Sequence, residues 1–159
     1  MANVTFITVG TLKESYLKEA VTEYEKRISA YAKVDSVNVK EERIIDENNT
    51  AEIKKALLTE GEKILQAIPK GAYKIALCVE GTEYSSEALA KILGTALDGA
   101  GRVAFIIGSS HGLCDEVKRS CDLKLSFSKL TFPHQLMRVI LAEATYRSFT
   151  ILAGKRYHK

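Results

Sequence analysis

The sequence predicts an α/β domain, a mainly parallel sheet with helices on both faces. Two observations lead there. Short β-branched or apolar runs alternate along the chain with amphipathic stretches whose apolar residues recur every three or four positions. The runs at 73–79 (YKIALCV) and 103–107 (VAFII) have almost no polar interruption, as strands covered on both faces require. A length of 159 residues suits a single domain, 1–159, able to bury a true core without disulfides or metal.

Residues 4–9 (VTFITV) read as the first strand, ended by Gly10. From Ser15 the period becomes helical, with Leu17, Ala20, Val21, Tyr24, Ile28 and Tyr31 on one face. Val34, Val37 and Val39 mark a second short strand. The acidic stretch 41–50 reads as a mobile surface loop. A helix over 51–68 presents Ile53, Leu57, Ile64, Leu65 and Ile68, and Pro69 and Gly71 stop it. After the strand at 73–79, Leu89, Ile92, Leu93, Ala96 and Leu97 line another helix, capped by Ser85 or Ser86. The strand at 103–107 ends at Gly108; a short helix over 115–120 and a strand over 123–127 follow.

The last helix starts with Pro133 in its first turn, where a missing N–H costs nothing, and runs to about Ala153. Its apolar residues go nearly all the way round. Such a helix is either central in the core or shared with a second subunit, and a two-fold homodimer is the expectation.

The three cysteines, Cys78, Cys114 and Cys121, form no CxxC pair, which points to reduced thiols and a cytoplasmic location. His111, Cys114 and Cys121 lack the second ligand pair of a structural zinc site, so no metal is expected. There is no signal-peptide pattern at the start, and no apolar run long enough to span a membrane. Charge is lopsided: residues 1–101 hold 13 Lys+Arg against 16 Asp+Glu, whereas residues 102–159 hold 10 against 4. The basic end, with Lys155, Arg156 and Lys159, suits an anionic partner, nucleic acid first, or a solvated tail.

Ligands on parallel sheets bind beyond the carboxyl ends of the strands. That directs attention to Glu80-Gly81-Thr82, to 108–112 and to 126–133. Gly108-Ser109-Ser110-His111-Gly112 matches the G-x-S-x-G elbow of serine hydrolases, with Ser110 as nucleophile and Asp122 and His134 or His158 as partners. The bland alternative is a tight turn that needs two glycines. Neither the dinucleotide fingerprint nor a P-loop occurs, since Val9-Gly10-Thr11-Leu12 has one glycine where three are required.

The C-terminal third carries a resemblance. Val103-Ala-Phe-Ile-Ile-Gly108, His111-Gly112-Leu113, Leu125-Ser-Phe-Ser-Lys-Leu-Thr-Phe-Pro-His-Gln135, Met137-Arg138-Val139 and the terminal Tyr157-His158-Lys159 resemble the ribosomal RNA large subunit methyltransferase H family of the SPOUT superfamily. Phe6-Ile-Thr-Val-Gly10, Tyr24-Glu-Lys-Arg27 and Tyr31 extend the likeness to nearly the full length. The resemblance implies a homodimeric SPOUT-like domain whose C-terminal segment threads a trefoil knot, a topology that periodicity does not reveal and base rates oppose. It also implies S-adenosylmethionine as cofactor, and as substrate N3 of a pseudouridine in 23S rRNA, in a stem-loop at the subunit interface of the assembled ribosome. A non-catalytic ribosome- or RNA-binding module is the other reading of a basic-tailed chain.

By the same resemblance, cofactor contacts fall on Leu77, Gly108, Phe127, Ser128, Lys129, Leu130, Thr131 and Phe132. Turn backbone groups would meet adenine edges, and Leu77, Leu130 and Phe132 would supply apolar walls. Ser109 stands where relatives often carry a second glycine. Pseudouridine N3 must lose a proton, which calls for a base or a stabilised anion. His158, Tyr157 and His134 are the candidates for that chemistry. Arg138, Lys155, Arg156 and Lys159 are the candidates for RNA phosphates, or in Arg138's case a cofactor carboxylate, while Arg147 is expected to pair with Glu143 one helical turn away.

Overall fold

A computed structural model describes residues 1–159. In chain order it contains β1 (Asn3–Val9), α1 (Ser15–Ile28), β2 (Lys33–Val39), α2 (Thr50–Ala67) and β3 (Tyr73–Glu83). Then come α3 (Ser86–Ala100), β4 (Arg102–Ile107), α4 (Asp115–Ser120), β5 (Leu123–Ser126) and α5 (His134–Leu152). All pairings are parallel, and the strands lie in the order β2-β1-β4-β3-β5.

Alternation along the strands sorts the core into two layers. Val4 and Phe6 of β1, Ile75 of β3, and Val103, Phe105 and Ile107 of β4 face α1, α3 and α5, where they meet Leu93, Leu141 and Phe149. Their neighbours Ile7, Val9, Ala76, Ala104 and Ile106 face the opposite way, toward Ile64 of α2 and Val117 of α4. Phe6 and Phe105, paired across β1 and β4, stack at 5.6 Å between ring centroids. Each such buried side chain contributes roughly 1.5–3 kcal/mol by leaving water.

Two helix starts, those of α2 and α3, carry a side-chain cap. Asn49 accepts from the Glu52 amide at the head of α2, and Ser85 from Ala88 at the head of α3, both at 3.1 Å. The expected mobile loop at 41–50 is an irregular connection, and it is tied down. Glu52 accepts from the amides of Ile45 and Asp46, and Glu60 accepts from that of Glu42. No helix is long and apolar enough to cross a membrane.

Two features depart from the sequence reading. First, α5 lies between α1 and α3 against the sheet. Its apolar circumference is largely covered within the chain, with Leu136 and Leu152 left 39% and 47% exposed. Apolarity alone therefore does not call for a second subunit. Second, β3 runs on to Glu83 instead of stopping at Val79, and both Leu77 and Thr82 register against Leu125 of β5. Gly81 permits this close passage: a Cβ there would sit 2.7–2.9 Å from backbone atoms of Lys124 and Leu125.

Candidate functional site

A cleft of about 750 Å³ opens at the carboxyl ends of β3, β4 and β5, where parallel sheets place their ligands. Its walls come from three segments. Leu77, Cys78, Val79 and Glu80 belong to β3; residues 107–113 leave β4; and residues 125–128 and 130–134 lead from β5 into α5. Two of the segments singled out from the sequence, 108–112 and 126–133, thereby meet, and of Glu80-Gly81-Thr82, which belongs to β3, Glu80 joins them.

The turn after β4 has a defined reason for its glycines. Gly112 adopts φ +88°, and a Cβ on Gly108 would lie 2.2 Å from the Gly112 carbonyl oxygen. The close approach at Gly108 is thus made by the chain's own turn, closed by the Gly112 amide donating to Ser109 at 2.9 Å. The loop after β5 is shaped by serines. Ser126 donates to the Ser128 carbonyl at 3.0 Å, and the Ser128 hydroxyl accepts from the Leu130 amide at 3.0 Å. Leu130 remains 70% exposed at the rim, an apolar surface free to cover a ligand.

Of the expected cofactor contacts, Leu77, Gly108, Phe127, Ser128, Leu130, Thr131 and Phe132 line the cleft, as does His134; Lys129 does not. Glu80, from the first of the segments singled out in the sequence, also lines it, as do Cys78 and Lys118, which the sequence did not mark as site residues. Burial pushes the Cys78 thiol up to about 11, which keeps it a thiol. Lys118 donates to Glu80 at 2.6 Å, holding that carboxyl below its usual range.

Arg138 requires a correction. The residue is 7% exposed, its guanidinium donating from Nη2 to the carbonyls of Val9 (3.0 Å) and Gly10 (2.7 Å) and from Nη1 to Asn38 (3.3 Å). It lies outside the cleft lining and is too deeply enclosed to meet a phosphate of RNA. Burial pulls its pKa below the ordinary value.

Tyr157 and His158 lie outside their own chain's cleft and form a second constellation. Tyr157 donates to Glu143 at 3.0 Å, edge-on to Tyr146 and beneath Arg147. Desolvation, then the Glu143 bond, push its phenol up to about 12, so it stays protonated at neutral pH. His158 bridges Arg147 at 3.1 Å and Glu87 at 2.7 Å. The Arg147–Glu143 pair appears as expected, at 2.6 Å. Its second task, anchoring the chain end, joins residues 11 and 14 positions apart and leaves no periodic trace in the sequence. Lys155, Arg156 and Lys159 are exposed around it.

A hydrolase triad does not assemble. Asp122 sits at the amino end of β5, bonded to the Lys74 amide at 2.8 Å, whereas Ser110 lies in the cleft at the carboxyl ends. His111 is turned to Glu47 at 2.9 Å, away from any metal cluster with Cys114 and Cys121. Behind the cleft, Glu60 is 2% exposed; its Oε2 accepts from the Glu42 amide and its Oε1 meets no partner. Burial raises its carboxyl pKa; the Glu42 amide lowers it, offsetting the rise only in part, and the nearby Glu41 charge adds to the rise.

Residues 2–158 match the family described as a predicted SPOUT methyltransferase. The chain is 44% identical over 156 residues to the ribosomal RNA large subunit methyltransferase H of Caldicellulosiruptor saccharolyticus, covering 98% of this chain and 99% of that one. It is 46% identical over 160 residues to the protein of that name from Shouchella clausii, with 99% of each covered. In fold it is similar to the crystal structure of a probable methyltransferase from Bordetella pertussis Tohama I, with a TM-score of 0.56 at 17% identity over 92% of this chain and 96% of that one.

Proposed function

Because the chain belongs to the SPOUT methyltransferase family, we propose that it transfers a methyl group from S-adenosylmethionine to N3 of a pseudouridine in 23S rRNA, acting as a homodimer on the assembled ribosome. The observation that carries this reading is full-length similarity to relatives named for large-subunit ribosomal RNA methylation. The cleft supports it: at about 750 Å³ it lies within the range of nucleoside-sized sites, with apolar walls and few polar groups.

The residues present fit the cofactor. Leu77, Leu130 and Phe132 would flank a flat adenine, and backbone groups of 127–132 and of the turn from Gly108 would meet its polar edges. Bound there, the sulfonium supplies an activated methyl group, so the protein's share is in-line positioning and removal of the N3 proton.

Two groups stand for the proton. His134 lines the cleft at the head of α5. His158, held by Arg147 and Glu87, is outside it, so the tail serves catalysis by closing over the cleft of the second protomer. Tyr157, protonated at neutral pH, acts there by stacking or donating and never as the base. Lys155, Arg156 and Lys159 draw in RNA phosphates, and the target base is splayed from its loop to reach the methyl group. A trefoil knot, as the family likeness implies, completes this architecture.

The deciding experiment is transfer of labelled methyl to ribosomes and to free rRNA, with the modified nucleotide mapped. Methylation of ribosomes at one pseudouridine is expected. Removal of residues 157–159 should abolish transfer while S-adenosylmethionine still binds. A pure RNA-binding module would give no heat on titration with the cofactor.

A further inference from the structure

Apart from its histidines, the lining of the cofactor cleft contains one acid and one base, Glu80 of β3 and Lys118 of α4, and they hold each other. Lys118 Nζ donates to Glu80 Oε1 at 2.6 Å, and each partner is the foremost cause keeping the other ionised. The pair is not needed to fasten α4. Val117, at 0% exposure, already anchors that helix in the second core layer beside Ile64 and Cys114, and an ion pair with its carboxylate in water contributes about 0–1 kcal/mol. Its place in the cleft is the informative feature. Leu77 and Phe127 pack on the core layer that faces α5, whereas Cys78, Leu113 and Val117 belong to the layer that faces α4. The cleft therefore reaches from the head of α5 across the strand ends to α4, and its two opposite charges stand at the α4 end. With adenine against the run 127–132, that end is left for what the nucleoside carries beyond its ribose.

We propose that Glu80 and Lys118 form the subsite for the zwitterionic amino-acid end of the cofactor, Glu80 accepting from its ammonium and Lys118 donating to its carboxylate. This rests on the cofactor reading of the cleft. S-adenosylmethionine carries one charge of each sign at that end, and charges taken out of water must stay paired. The pair answers with one charge of each sign, so ligand and protein exchange partners and no charge is left over. Glu80 is exposed and lies where the register of β3 on β5 shifts, between Leu77 and Thr82, while Lys118 is half-buried. The carboxylate can thus re-aim toward a ligand while Lys118 stays in place.

Titration calorimetry on the full chain tests it with two uncharged-sulfur nucleosides. S-adenosylhomocysteine keeps the amino-acid end, and 5′-methylthioadenosine lacks it. The unaltered chain should prefer the first by about tenfold or more, equivalent to 1.4 kcal/mol. Lys118→Met and Glu80→Gln should each weaken S-adenosylhomocysteine about fivefold or more, roughly 1 kcal/mol, and change 5′-methylthioadenosine by less than about twofold. Lys118→Arg, which keeps the charge, should recover most of the lost affinity. Should a variant fail to fold, the preference of the unaltered chain decides alone. Equal losses on both ligands overturn the proposal, since a ribose contact or a merely structural pair gives that result. So does an unaltered chain without preference, or variants that bind both nucleosides normally and lose only RNA. An unaltered chain that binds neither nucleoside refutes the cofactor reading itself, and the subsite with it.

Discussion

Gly108→Ala is the sharpest perturbation of the cofactor cleft that the geometry offers. An added Cβ would stand 2.2 Å from the Gly112 carbonyl oxygen and 2.5 Å from its carbon, where ordinary contact begins at 3.4 Å. The carbonyl must therefore retreat by more than an ångström, and neither atom is the far end of a flexible side chain. Moving it strains the closing bond from the Gly112 amide to Ser109 and crowds Leu113, whose Cδ2 would be 3.0 Å from the new methyl. Overpacking of this kind costs about 1–3 kcal/mol, and a weakened backbone bond adds about 1 kcal/mol. Together they lower the melting temperature by about 5–15 °C for a chain of this size. Because this turn is a wall of the cleft, cofactor affinity should fall about tenfold or more, equivalent to 1.4 kcal/mol. The comparison is Gly99→Ala, where an added Cβ meets nothing within 4 Å; there the variant should gain about 0.4–1 kcal/mol. Calorimetric titration with S-adenosylmethionine and thermal melts read both variants. A Gly108→Ala protein with unchanged melting and unchanged affinity would falsify the role given to this turn.

Glu60→Gln should stabilise the protein at pH 8 by about 1–2 kcal/mol, since an amide keeps the bond from Glu42 while removing a buried, half-partnered charge. Burial raises this carboxyl in the folded state, so its contribution is intact below the unfolded value near 4.5 and is lost as pH rises through the folded value. The advantage of the variant therefore grows with pH and vanishes below about 4.5; melts from pH 4 to 8 showing a constant gap would contradict this. Replacing Lys155, Arg156 and Lys159 with alanine should flatten the dependence of log affinity on log salt for single-stranded rRNA by about 2, at about 0.7 per lost contact, read by filter binding at several salt concentrations. Phe105→Ala, at 1% exposure and stacked on Phe6, should cost about 3–5 kcal/mol in urea unfolding.

What could be read in advance follows from range. Strands and helices leave periodic or composition signals, and every expected element is present within a few residues. The cap at Ser85 and the breaker at Pro69 marked their boundaries because each acts on its own neighbours. The extension of β3 escaped notice because Glu80-Gly81-Thr82-Glu83 reads as a polar loop, and its extended course is imposed by β5 passing alongside. Arg138 was misplaced for a similar reason. A charged residue next to a cofactor motif suggests a ligand contact, yet its partners Val9 and Gly10 lie nearly 130 residues away on another strand end.

The same contrast separates the two halves of the proposed catalytic apparatus. The cofactor contacts proposed from the motif fall mostly in one run, 127–132, and all of that run except Lys129 lines the cleft, because a single loop leaving β5 forms much of that wall. The tail is different in kind. Glu143, Arg147 and Glu87 grip Tyr157 and His158 through side chains drawn from two helices, and the phenol is kept protonated. A tail held this firmly pays little further entropy when it meets RNA. In one chain it also lies outside that chain's cleft. Under the proposed function, a second protomer brings cleft and tail into one site. Co-assembly of a tail-deleted chain with a chain defective in its cleft, such as Gly108→Ala, then gives a clear outcome: mixed dimers recover one working site, whereas a tail acting within its own chain leaves them inactive.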